Sequence, residues 1–173
     1  MIKIESLYPV HASALNALIK LGLREHPASF TSDISSIENR PDHVVADHLE
    51  SLQTSDDFRL GALTPEGELV GTVRLIRHQN SKLTHSADIV FVFVHPDYQN
   101  QGIGLRLMHT AIEKAREITG LEHLHLAVST DSLAAIHLYE KAGFESTGII
   151  KQQIKTGGRY YDQLTMWKSL RDA

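Results

Sequence analysis

Cysteine is missing from all 173 residues. Its absence excludes a disulfide framework, a thiolate zinc site and a cysteine nucleophile together. No run of about 18 apolar residues occurs, so no transmembrane helix is expected. The opening MIKIESLYPVHASALNALIK lacks a basic segment followed by a long apolar stretch and a small-residue cleavage site, so it does not read as a signal peptide. The expectation is a soluble, cytoplasmic protein with no membrane partner. Positive charge is also in short supply: 17 Lys and Arg stand against 21 Asp and Glu, a net charge of −4. That balance is poor for gripping a phosphate backbone, and no nucleic-acid partner is expected. There is no linker rich in Pro, Gly or Ser, no internal repeat and no low-complexity tract. What remains is 173 residues, 42% of them hydrophobic, which suits a single domain over 1–173 with one core. The acidic excess lies in the first third, where residues 1–60 hold nine acids and five bases. Eleven histidines soften the sum. The front of the chain leans toward a cationic partner.

Hydrophobic periodicity divides the chain into short elements. Residues 2–7 read as a strand, and Leu15, Leu18, Ile19 and Leu21 follow at helical spacing. His26-Pro27 ends that helix, because the residue before proline is pushed out of the helical region. A more polar helix is expected over 41–53. Two β-rich runs, Phe58–Leu63 and Leu69–Ile76, flank a Pro-Glu-Gly turn and read as a hairpin. Residues 87–94, ADIVFVFV, suggest a central strand covered on both faces. A helix spans 103–119 with Gly120 just past its end. Residues 123–129 alternate as a strand, and a further helix runs from an Asp131 cap to Gly143. Strands at about 144–152 and 158–167 close the chain. The order β-α-α-β-β-β-α-β-α-β-β describes an α/β chain of the α+β type, with a mixed central sheet and about four helices. Uniform βαβ alternation is absent, which disfavours a doubly wound dinucleotide fold.

The most informative stretch runs from Val94 through His95-Pro96-Asp97-Tyr98-Gln99-Asn100-Gln101 to Gly102-Ile103-Gly104. A buried strand ends, a short loop turns, and two glycines open an amphipathic helix. Helix N-termini present unpaired N–H groups and the positive end of a dipole, so they suit anions. Glycine there lets a phosphate approach the backbone without a Cβ in the way. A P-loop would need Lys-Ser/Thr after the glycines, and a dinucleotide fingerprint would need a third Gly where Leu107 stands. From the local pattern alone, a glycine turn that merely starts a helix stays open.

The run Val94-x-Pro96-x-Tyr98-Gln99-x-x-Gly102-Ile103-Gly104, followed by Leu107-Met108, resembles the signature of the GNAT superfamily of acetyl-CoA-dependent N-acetyltransferases. So does a second block, Ala135-Ile136-x-Leu138-Tyr139-Glu140-Lys141-Ala142-Gly143-Phe144. The tail Gly158-x-Tyr160-Tyr161-Asp162…Met166 is a third match. The resemblance covers about 87–168, and the order of elements agrees with it independently. It implies a splay between the fourth and fifth strands, with acetyl-CoA lodged there and a cofactor-binding core over about 87–145. Backbone groups of Val92, Phe93 and Val94 would pair with the pantetheine arm. Gln99, Asn100, Gln101, Gly102, Ile103, Gly104 and Leu105 would cradle the pyrophosphate. Ser132 stands where the family often carries Asn, and Ser can still donate a hydrogen bond with shorter reach.

Transfer of an acetyl group to an amine needs a base for the amine's proton, fixed donors for the oxyanion and an acid for the departing thiolate. The resemblance places Tyr139 at the family's acid position. Asp88 is the candidate base: it is the lone charge in ADIVFVFV, and a buried carboxylate is costly unless paired or used. A frayed strand start is its ordinary alternative. The resemblance implies an acceptor side from about 20–60 and 155–168, with Glu25, His26, Phe30, Tyr161 and Asp162 as candidates. His123-x-His125 lacks a third ligand at useful spacing and reads as ordinary strand histidines, with no metal expected. The expected reaction is acetyl transfer to a small-molecule or amino-acid-like amine. The alternatives are a protein or peptide N-acetyltransferase and a non-catalytic acyl-CoA sensor on the same fold. A homodimer is left open. Without cysteine, no acetyl-cysteine intermediate can form, so the simplest route is direct attack of the amine on bound acetyl-CoA.

Overall fold

A computed structural model describes residues 1–171. Seven strands form one mixed sheet in the order β1-β2-β3-β4-β5-β7-β6. They are β1 (Lys3–Ser6), β2 (Phe58–Leu63), β3 (Leu69–Arg77), β4 (Ser86–Val94), β5 (His123–Ser129), β6 (Glu145–Thr156) and β7 (Arg159–Ser169). The helices are α1 (Ala12–Glu25), α2 (Ile34–Ile37), α3 (Asp42–Ser51), α4 (Ile103–Arg116) and α5 (Leu133–Lys141). All strand pairs are antiparallel except β4 with β5, which run parallel.

Alternation along the strands sends apolar side chains to both faces. On one face Leu60, Val73, Leu75, Ala87 and Ile89 meet Leu107, Met108, Ala111 and Ile112 of α4. On the other, Leu63, Leu69 and Phe93 meet Leu15 and Leu18 of α1 and Val45 and Leu49 of α3. Buried Asn16 of α1 ties the approach to α3. Its Nδ2 donates to the Arg40 carbonyl at 2.9 Å and to Asp42 Oδ1 at 2.7 Å. Arg40 returns two bonds to Asn16 Oδ1, at 3.1 and 2.9 Å. No helix among the described residues is long and apolar enough to cross a membrane.

Three expectations change. The short α2 was not anticipated; four residues capped by Asp33, which accepts from Ser35 N–H at 3.1 Å, are too few to show a helical period. The N-cap of α5 is Ser132, not Asp131, and it makes no side-chain capping bond. β4 is central but not covered on both faces, since Asp88 and Val90 to Val92 are half-buried and line a cavity.

The β6–β7 hairpin is the outer edge of the sheet, and β6 is almost wholly exposed. Asp162 of β7 pins a bulge there: Oδ2 takes Lys151 Nζ at 2.8 Å and Oδ1 takes the Gln152 N–H at 2.8 Å. Gln152 itself sits at φ +54°. The Lys151 hydrogen bond, then the Gln152 N–H, holds the Asp162 carboxyl below its ordinary range. A depressed carboxyl stabilises the fold above its unfolded pKa of about 3.9, and that contribution is lost as pH falls through the lower folded value. Asp162→Asn should therefore lower Tm at pH 7, with the gap to wild type closing as the pH is brought below about 3.9.

Candidate active site

β4 and β5 pair only at Ser86 with His123, Ala87 with Leu124 and Asp88 with His125. Beyond Asp88 they part. β5 continues along β7 for all seven of its residues, from His123 to Ser129. β4 stays with β3 but bulges between Thr72 and Arg74, where Phe91 takes φ +50°. A bulge adds local twist and re-aims side chains, here away from β5. The gap is a cavity of about 1150 Å³. Its walls are Asp88 to Val94 of β4, His125 to Val128 of β5, the start of α4, the start and inner face of α5, and Thr165 and Met166 of β7. His26, Ser29, Phe30 and Thr31 close one side.

At one end lies the glycine turn. Gly102 caps α4 in the left-handed region, φ +75°, and a Cβ there would meet nothing within 4 Å. The first α4 bond is Arg106 N–H to the Gly102 carbonyl, 3.1 Å. The N–H groups of Ile103, Gly104 and Leu105 are thus left without helical partners at the cavity wall. Gly104 has a second reason to lack a side chain, since its Cβ would come within 3.3 Å of Leu138 of α5. Asn100, at φ +61°, shapes the preceding turn. Gln99 folds back, its Nε2 donating to the Val94 carbonyl at 3.0 Å.

Farther in, Tyr139 of α5 is buried against Phe144, ring centroids 6.3 Å apart. Burial alone pushes its hydroxyl well above the usual tyrosine value, so it stays protonated. Ser132 Oγ lies 3.5 Å from Ser29 Oγ, linking the α5 cap to the loop after α1. Asp88 sits where the strands part. It is half-buried rather than sealed in, and His78 Nε2 is 3.0 Å from its Oδ2. His125 faces it across the last parallel pair. Desolvation holds His125 below its ordinary value, partly offset by Asp88. Phe30 stacks on Phe91 at 4.4 Å, and His26 meets the edge of Phe93 at 6.0 Å.

The cavity therefore gathers Asp88, Tyr139, Val92, Phe93, Val94, Gln99, Asn100, Gly102, Ile103, Gly104, Leu105, Ser132, His26 and Phe30. Four other candidates lie outside its lining. Glu25 is exposed at the end of α1, and the Gln101 side chain turns back toward the Asp97 carbonyl at 3.4 Å. Tyr161 pairs with Ile154 inside the hairpin, and Asp162 is committed to Lys151 and Gln152. Two neighbours of Asp88 were not singled out for catalysis. His78 reaches it only through β3–β4 pairing, which no local pattern reveals. His125 did carry a signal, its two-residue offset from His123. Among the described residues no group of three His, Asp or Glu is placed to hold a metal ion.

A seven-stranded sheet that splays beside a helix N-terminus is a fold class in itself, and its relatives agree. The structure superposes on a GNAT-family acetyltransferase from Streptococcus pneumoniae with a TM-score of 0.87 and 27% identity, covering 98% of this chain and 99% of that one. A putative acetyltransferase from Salmonella typhimurium, solved with its cofactor acetyl-CoA, shares the fold at TM-score 0.87 and 20% identity, covering 100% and 96%. In sequence, the chain is 29% identical over 99 residues to the spermidine N(1)-acetyltransferase of Vibrio cholerae, 57% of this chain and 56% of that protein. It is 30% identical over 101 residues to an L-amino acid N-acetyltransferase of Escherichia coli strain K12, 58% and 62%. The matched segments thus span only a little over half of these curated relatives. Residues 21–144 match the Acetyltransferase (GNAT) family, and the chain belongs to that family.

Replacing Gly102 tests the turn. Gly102→Ala forces a side chain into the left-handed region, at a cost of about 1–2 kcal/mol, and brings a methyl group to the cradle. Calorimetric titration with coenzyme A should show Kd rising by about 10-fold or more.

Proposed function

We propose that this protein transfers an acetyl group from acetyl-CoA to the amine of a small molecule within a ternary complex. One observation carries the reading: a single cavity joins the unpartnered N–H groups at the start of α4 to Tyr139 and Asp88. Its volume, about 1150 Å³, exceeds the roughly 300–1,000 Å³ of ordinary small-ligand pockets, which suits two substrates at once.

The residues suit acetyl-CoA. Ile103, Gly104 and Leu105 would bind its pyrophosphate through their N–H groups, with the α4 dipole adding attraction. Beyond Asp88, the β4 edge toward β5 has no strand partner, and Val92 to Val94 would pair with the pantetheine amides there. Bound acetyl-CoA supplies an activated thioester carbonyl. Asp88, oriented by His78, takes a proton from the attacking amine, through water where the carboxylate falls short. Tyr139, kept protonated by burial, donates to the departing sulfur. Phe30, Phe91 and His26 give the acceptor an aromatic seat.

Thiol release measured over a panel of amines tests the function; coenzyme A binding without acceptor-dependent release would make the protein a sensor instead. Initial rates should give intersecting double-reciprocal plots, because no cysteine is present to carry the acetyl group. Parallel lines, with acetyl exchange in the absence of acceptor, would overturn the direct route.

Two variants test the roles. Tyr139→Phe should lower kcat by about 10²–10³-fold, the loss that follows removal of one donor to developing charge. Asp88→Asn should lower it comparably and shift the acidic limb of the pH–rate profile. An unmoved limb removes Asp88 as the base.

A further inference from the structure

The sheet face beneath α1 and α3 carries positive charge that its own packing does not match. Register sets Arg59 of β2 directly opposite Arg74 of β3, so both point to one face. Their sequence neighbours Phe58 and Leu75 belong to the α4-side core, which places the two guanidinium groups on the α1 and α3 side. Arg59 is only 6% exposed, and its Nε and Nη1 have no hydrogen-bond partner. Arg74 Nε and the Nε2 of His48, from α3, are unpartnered as well.

The charges facing this cluster offset it only in part. Arg40 adds a third cation, offset by Asp42, with its Nε and Nη2 donating to Asn16. Asp57 is a counter-charge to both Arg74 and His48, but among the described residues no carboxylate acts on Arg59, whose charged neighbours are Arg74 and Arg40. Among the described residues neither Arg59 nor Arg74 forms an ion pair. Burial, with Arg74 and Arg40 nearby, pushes Arg59 down to about 9. Like charges opposite each other in a sheet repel, and an unpaired buried cation destabilises a fold.

The cluster abuts the acceptor side of the cavity. The Arg59 guanidinium carbon lies 5.8 Å from the centroid of the Phe91 ring, and Phe91 and its stacking partner Phe30 both line the cavity. Arg74 pairs in register with Val90, another lining residue, and is half-buried rather than sealed, so it stands beside the lining without forming part of it. We infer, resting on the acetyltransferase reading above, that the acceptor carries a carboxylate which docks on Arg74 with Arg59 behind it. The preferred acceptors are then amino acids rather than polyamines. Guanidinium matches a carboxylate bidentately, whereas a second ammonium group would meet the same charge with repulsion.

The test compares acceptors on one skeleton: an α-amino acid with an aromatic side chain, its amide, and the parent amine without the carboxyl group, with spermidine alongside. The carboxylate form should be favoured in kcat/KM by about 10–100-fold, the range of a charge-assisted hydrogen-bond pair. Arg74→Gln should lower kcat/KM for the amino acid far more than for its amide, and Arg59→Met should act in the same direction. A second readout needs no turnover. With coenzyme A present, the amino acid should raise Tm where its amide does not, and Arg74→Gln should abolish the difference. Equal use of amino acid and amide, or a preference for spermidine, overturns this inference and leaves acetyl transfer standing. If no amine supports thiol release, the acetyltransferase reading falls, and the Tm comparison still decides whether the arginines hold a carboxylate.

Discussion

Three residue pairs hold two half-sheets together, and the site exists because there are only three. Ser86 to Asp88 pair with His123 to His125, after which β4 follows β3 and β5 follows β7. Backbone N–H and C=O groups buried without partners are costly, so a parting of central strands has to be answered by something that supplies hydrogen bonds. An extended ligand arm would do so, in the manner of an added strand. The bulge at Phe91 fixes where the parting widens and moves the Phe91 ring onto Phe30. The helix that begins beyond β4 starts at the mouth of the same gap, so its free N–H groups and the strand edge form one continuous surface.

Net charge alone does not describe the charges around this surface. Several acids of the first third are engaged locally: Glu5 with Lys3, Glu38 with Arg24, Asp56 with Arg77, and Asp42 with Asn16. Exposed pairs of this kind contribute little energy, but they screen one another and project little field into the cavity. The field there depends on the few charges that are buried and unmatched. With Arg59 over Phe91 and Arg74 paired with Val90, a chain with a formal charge of −4 still sets two arginines beside the cavity lining.

Legibility in the sequence followed the range of the interactions involved. Phe58–Leu63 and His123–Ser129 were readable to the residue, because alternation and turn chemistry are local signals. The glycine turn was readable for the same reason: the φ of Gly102 and the start of α4 depend on a dozen consecutive residues. The acceptor side depends on pairings far apart in the chain. Asp162 looked like a site residue by position, but its carboxylate is consumed ten and eleven residues away, in a bulge that periodicity does not predict. His78 comes to Asp88, and Arg59 to Arg74, only through strand register. A one-residue slip would have placed either partner on the other face.

Tyr139 shows how burial narrows the chemistry available to a side chain. A phenol whose hydroxyl is raised by desolvation is a weaker acid than tyrosine in water, while a departing thiol has an ordinary pKa near 8.5. Complete proton transfer would leave a phenolate in an apolar pocket against Phe144, the less stable arrangement. The hydroxyl is better suited to stabilising charge as it develops on sulfur, by a hydrogen bond that costs no reorganisation. The proton that balances the reaction is then the one lost by the amine. In the proposed mechanism Asp88, half-exposed and joined to His78 where the strands begin to part, would hold that proton and pass it to water. On that mechanism Tyr139 never becomes a buried phenolate and the proton leaves through a half-exposed carboxylate, so neither residue has to carry a buried charge.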